Sequence, residues 1–139
     1  MELINAIPVL NEIKHALKAL RERGESHTIN IMNFPLTNDD SSFLDEVLGR
    51  GSITIYYDGL EHTFWQESKI AGVWWGEYRN ANNKVTLRMI EITEFPTLAR
   101  SQAEDIEDGI NRLDEALAEN ASRVLRALPV LPAGVTDVG

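Results

Sequence analysis

Ile7, Leu10, Ile13, Leu17 and Leu20 recur at three- and four-residue steps, which puts one apolar stripe on a helix between Asn5 and Gly24. Asn5 stands where a cap is needed, Pro8 is tolerated in the first turn, and Gly24 is placed to end the helix. Lys14, Lys18, Arg21 and Arg23 gather toward its C-terminal half, where the helix dipole favours cations. His27 to Phe34 then reads as a strand, with Ile29 and Ile31 on one face, Met32 on the other and Pro35 as the stop. Thr37 ahead of Asn38, Asp39 and Asp40 is a helix start, a cap followed by acidic side chains in the first turn. Phe43, Leu44, Val47 and Leu48 give that short helix its apolar side, and Gly49 and Gly51 end it.

The period then changes from 3.6 to 2. Ser52 to Tyr57 alternates through Ile53, Ile55 and Tyr57, with Asp58-Gly59 as a hairpin turn and His62 to Ser68 as the return strand. Ala71-Gly72 leads into Val73 to Arg79, and Asn80 to Asn83 turns the chain into Lys84 to Thr93. Val85, Leu87 and Met89 fall on one face of that last strand and Ile90 and Ile92 on the other, which calls for a bulge near Met89 or burial of both faces. After Glu94-Phe95-Pro96, Thr97 is positioned to cap a long helix, with Ala99, Ala103, Ile106, Ile110, Leu113, Leu117, Ala121, Val124 and Leu128 in step. Continuous to Leu128, it would be roughly 48 Å long, so it either breaks near Asn120 or projects toward a partner. Consecutive strands joined by short turns imply an α+β class: an antiparallel sheet of four to five strands flanked by an N-terminal helix, a short helix and a long C-terminal helix. One domain over residues 1–128 and a disordered tail over 129–139, with Pro129, Pro132 and Gly134, complete the expected layout.

Bulk properties narrow the function classes. A chain of 139 residues, 43% hydrophobic and 25% charged, suffices for one real core. The net charge of −9 opposes non-specific binding to nucleic acid. No run of ~18 apolar residues could span a membrane, and the N-terminus lacks the basic and apolar regions of a secretory signal. Cysteine is absent, which removes disulfides, thiolate nucleophiles and cysteine ligation of zinc or iron–sulfur clusters by this chain. A cytoplasmic location is the simplest expectation.

Candidate chemistry is sparse. From Glu104 to Glu119 seven acidic side chains stand against Arg112 alone, the pattern of a solvated helix face or of an acidic docking surface. His15, His27 and His62 lack zinc-ligand spacing. A His62/Glu67 acid–base pair would lie five residues apart on one strand, facing opposite ways and about 16 Å apart. Gly49-Arg50-Gly51 is too short for a phosphate loop and reads as a helix stop. No catalytic residue, metal ligand or cofactor-binding residue is assigned.

The aromatic residues carry more information. Trp65, Trp74 and Trp75 fall on neighbouring strands, and the adjacent pair must point to opposite faces of the sheet. Core packing is the default, yet exposed tryptophan is enriched at binding hot spots, so one of the pair is expected in the core and the other on a contact surface.

Several stretches together resemble the hydrogenase expression/formation proteins of the HupH/HoxQ/HyaF family. They are Val9 to Leu17 ending in Gly24-Glu25; Phe34-Pro35-Leu36-Thr37 with Asp40 and Leu44 to Gly51; Glu67-Ser68 before Gly72-Val73-Trp74-Trp75; Ile90 to Pro96; and Asp105-Ile106 with Arg112-Leu113. The likeness runs over roughly residues 8–117, in order. It implies a cytoplasmic assembly factor for nickel–iron hydrogenase that contacts a subunit precursor, with the iron–sulfur small subunit first in line, or fellow maturation proteins. Where some members carry Gly-Tyr-Gly-x-Cys, this chain has Gly59-Leu60-Glu61-His62-Thr63, so no role of that cysteine transfers. Members are usually about twice as long, with two related halves; a single unit here suggests a homodimer through the last helix. The expected contact residues are Trp65, Glu67, Gly72, Trp74, Trp75 and Tyr78. Two other readings stand beside this one: a self-associating structural or regulatory domain with no hydrogenase client, and a carboxylate-based hydrolase.

Overall fold

The computed structural model describes residues 2–59, 61–121 and 123. Two compact units divide at residue 100. The first holds two helices and the sheet; the second is the C-terminal helical segment.

Helix α1 spans Ala6–Arg23 and ends on Gly24, whose φ of 68° lets its N–H reach back to the carbonyl of Leu20. Its start departs from expectation, because the Asn5 side chain makes no cap; its Nδ2 instead donates to the Pro35 carbonyl. The cap comes from the next helix. Asp40, fully buried, accepts the backbone N–H groups of Ile4, Asn5 and Ala6 at 2.9–3.1 Å. Helix α2, Asn38–Leu48, opens with the expected capping box: Thr37 Oγ1 accepts from the Asp40 N–H, and Asp40 accepts from the Thr37 N–H. One carboxylate therefore closes both helix N-termini.

The five strands are β1 (His27–Asn30), β2 (Thr54–Asp58), β3 (His62–Glu67), β4 (Val73–Arg79) and β5 (Val85–Ile92), in the order β1-β5-β4-β3-β2, each pair antiparallel. Strand β1 is half the expected length, because Asn30 turns the chain into a single 3-10 turn over Ile31–Asn33 by accepting the Met32 N–H with its side chain. The hairpin between β2 and β3 pairs Asp58 with His62, so three residues separate the strands rather than the two of an Asp-Gly turn. From Met89 to Ile92 strand β5 is covered on both faces, without a bulge at Met89, while Thr86 and Arg88 earlier in the strand are exposed; the only irregularity of register in the β4–β5 ladder falls at Tyr78/Arg79. Met89 fits because Gly76 lies opposite: a Cβ there would come within 2.8 Å of the Met89 side chain.

Two apolar clusters lie on opposite faces of the sheet. On one face Ile29, Val73, Ile90 and Ile92 pack with Val9, Ile13 and Ala16 of α1 and Leu44 and Leu48 of α2. Each fully buried Val, Ile or Leu contributes about 1.5–3 kcal/mol. The other face holds Trp65, Trp74 and Met89, flanked by Ile55, Tyr78, Leu87 and Ala99.

Thr97 lies in a short 3-10 turn, Thr97–Ala99, and does not cap the final helix. That helix, α3, runs Ala103–Glu119 from Gln102, so Ala99 falls outside it. Ile106, Ile110, Leu113 and Leu117 form its apolar stripe, and none of its residues is buried. The expected continuation through Val124 to Leu128 and the tail over 129–139 lie outside the described residues. Among the described residues no helix is long and apolar enough to cross a membrane.

Candidate protein-docking face

Alternation along β4 sends Trp74 and Trp75 to opposite faces, as their adjacency requires. The enclosed indole is the one facing away from α1 and α2. Trp74 is 2% exposed, its Nε1 donates to the Thr93 carbonyl at 3.1 Å, and Phe95 meets its ring edge-on at 5.9 Å. The chain after β5 thus shields a face that the two helices leave uncovered. Trp65 is also enclosed, at 0%. Trp75, on the helix side, packs against the rim of the first core and is only half-buried.

The other expected contact residues hold local structure. Glu67 is half-buried, accepts the Ser52 N–H at 3.2 Å, and lies so close to Gly51 that a Cβ there would sit 2.5 Å from its Oε1. Gly72 adopts φ +85° in the turn before β4, beneath Leu17 and Leu20 of α1. Tyr78 is half-buried; burial, then the charges of Glu91 and Glu61, push its phenol above the ordinary range. Of the six, Trp75 and Tyr78 keep accessible aromatic surface, on opposite faces.

Around Trp75 the structure assembles a row that sequence reasoning missed. Trp75 Nε1 donates to the Gly49 carbonyl at 3.0 Å, which fixes the indole against the end of α2. The Arg50 guanidinium lies 4.7 Å from the centre of the Trp75 ring and is held by Asp45 at 3.2 Å. Phe64 stands diagonally across β3 from Trp75, and Tyr56 lies directly opposite Phe64 on β2 with ring centroids 5.1 Å apart. Tyr56 is 79% exposed. Beside the row, the Glu77 carboxylate bridges Arg79 at 3.0 Å and Arg88 at 3.2 Å. Two shallow depressions, about 320 Å³ beside Trp75 and about 670 Å³ beside Tyr56, share Phe64 and Glu77 as a common wall. Because β2 is the sheet edge, the row ends at a strand with one unpaired side.

The signal for this row was the pairing register. Pairing Asp58 with His62 sets Tyr56 opposite Phe64; a two-residue Asp-Gly turn would have paired it with Glu61 instead.

His62 and Glu67 lie on opposite faces of β3, as expected. His62 Nδ1 instead meets Asp58 Oδ1 at 2.8 Å in an exposed hairpin. Among the described residues no group of three or more His, Cys, Asp and Glu side chains is placed to hold a metal. On the opposite face, burial raises the carboxyl of Glu91, with the Trp65 indole and the Thr97 backbone drawing it partly back. Trp65 Nε1 and Glu91 Oε2 are the two buried side-chain atoms without a well-formed hydrogen bond among the described residues.

Residues 3–120 match the family described as HupH hydrogenase expression protein, C-terminal conserved region. The chain is 35% identical over 115 residues to the hydrogenase expression/formation protein HoxQ of Azotobacter vinelandii, covering 81% of this chain and 41% of that protein. It is 26% identical over 122 residues to the hydrogenase-1 operon protein HyaF of Escherichia coli K12, covering 86% of this chain and 42% of that protein. The solved structure of the hydrogenase expression protein HupH from Thiobacillus denitrificans aligns with a TM-score of 0.74 at 34% identity, over 83% of this chain and 96% of that one. The chain spans about two fifths of the length of the curated relatives it matches.

Proposed function

Since the chain belongs to the family of the HupH hydrogenase expression protein, whose C-terminal conserved region it matches, we propose that it serves hydrogenase maturation by holding a client polypeptide on the Trp75–Phe64–Tyr56 face. The client is a nickel–iron hydrogenase subunit precursor, with the iron–sulfur small subunit as first candidate, and the contact is non-catalytic and cytoplasmic. The observation that carries the reading is the aromatic row itself. Three rings follow one another across three strands, and Arg50 stacks on the first of them. Buried contact with such side chains dominates the affinity of protein interfaces. Trp75 is anchored through Gly49, so its orientation is set before a partner arrives and little conformational freedom is lost on binding.

The test is co-purification from cells expressing the hydrogenase genes, comparing wild type with Tyr56→Ala combined with Arg50→Glu. Both side chains are exposed, so the fold is expected to survive with an unchanged Tm, while recovery of the hydrogenase subunit falls about tenfold or more. Equal recovery by the double variant would remove this face from the contact. No hydrogenase subunit recovered by wild type would remove the role.

A further inference from the structure

A second surface lies where α1 and α2 meet. Leu10, Ile13, Leu17, Val47, Leu48 and Ile70 floor an open groove of about 440 Å³ between the two helices and the turn before β4. Val47 and Ile70 remain 40% and 37% exposed. Its rim is cationic: Lys14, Lys18 and Arg21 follow one another at four- and three-residue steps along α1, and no acidic side chain lines the groove. Among the described residues neither Lys14 nor Lys18 takes part in an ion pair, while Arg21 meets only its neighbour Glu22. In a chain of net charge −9 this is a local excess of positive charge around apolar surface.

The occupant such a groove fits is an amphipathic helix with an acidic border. The chain itself carries one. In α3 the stripe of Ile106, Ile110, Leu113 and Leu117 is bordered on one side by Glu107 and Asp114, by the 100° step of the helix. Glu107 and Asp114 are seven residues apart, as are Lys14 and Arg21, so each pair spans about 10 Å. The match is therefore in spacing as well as sign.

We propose that α3 of one copy lies in the α1/α2 groove of a second copy, and that the exchange is reciprocal. The interface is then isologous, with two helix-in-groove contacts related by a twofold axis. It uses a surface distinct from the Trp75 row and does not depend on the identity of the client.

Charge exchange tests it. One variant carries Lys14→Glu and Arg21→Glu; the other carries Glu107→Lys and Asp114→Lys. Light scattering of wild type across a concentration series is expected to show a dimer. Each variant alone, folded by circular dichroism, is expected to dissociate with a dimer Kd raised about tenfold or more. An equimolar mixture of the two is expected to recover the dimer, since both contacts in the mixed pair again join opposite charges. A wild type that stays monomeric overturns the proposal, as do variants that dimerise as well as wild type. Two weakened variants that do not rescue each other also overturn it, because α3 would then act within its own chain or on a different protein.

Discussion

At the scale of single residues, the Asp40 side chain joins the starts of two helices through four backbone N–H groups. Burial raises its carboxyl, but the backbone N–H groups of Thr37, Asn5, Ala6 and Ile4 outweigh burial and hold it below the ordinary carboxylate range. A lowered pKa stabilises the fold in full above pH ~4, and the contribution drains away as the pH falls further. Asp40→Asn keeps the shape but loses the charge. It is expected to lower the Tm at pH 7 by about 10 °C or more, and the gap from wild type should narrow below pH ~4 in thermal melts. Glu91 has the opposite sign. Its raised pKa makes the ionised form a penalty that is absent below the ordinary glutamate pKa and complete above the raised one. Glu91→Gln is expected to raise the Tm by about 3 °C at pH 8, with the gain shrinking toward pH 4. No gain at pH 8 would show that the carboxylate is better accommodated than its surroundings imply.

At the scale of elements, the turn between β3 and β4 decides how α1 sits. Gly72 has a φ open to glycine, and a Cβ there would lie 3.1 Å from Leu17 Cδ2. Gly72→Ala is expected to cost about 1–3 kcal/mol, read as a lower urea midpoint with an unchanged slope. Local signals of this kind were legible in the sequence. The Thr37 box, the Gly24 stop and the full extent of β4 all follow from residues within one turn or one strand. What escaped depended on partners far along the chain. The α1 cap lies 34 to 36 residues away in Asp40, and no local rule prefers it over Asn5. The same holds for the site: alternation separated Trp74 from Trp75, but which indole would be enclosed depended on the path of Phe95 after β5. The aromatic row required the hairpin register, which one residue of turn length decides.

At the scale of the whole molecule, charge is unevenly spread: α3 is strongly acidic, while the α1 rim is cationic inside an acidic chain. Association through these two surfaces should weaken with ionic strength, because exposed charges are screened beyond about 10 Å at 0.1 M salt and about 3 Å at 1 M. Raising salt from 0.05 M to 0.5 M is expected to shift the light-scattering midpoint to higher protein concentration, while the apolar stripe preserves a remnant. An unchanged midpoint would leave burial alone in charge of the contact.

The unequal enclosure of the three indoles also gives the molecule a built-in optical probe. Trp65 and Trp74 are sealed from small aqueous quenchers, so iodide should extinguish the emission of Trp75 almost alone. Any polypeptide settling on that side of the sheet would shelter this ring and turn its emission bluer against a constant background. Occupancy could then be followed in solution without attaching a dye.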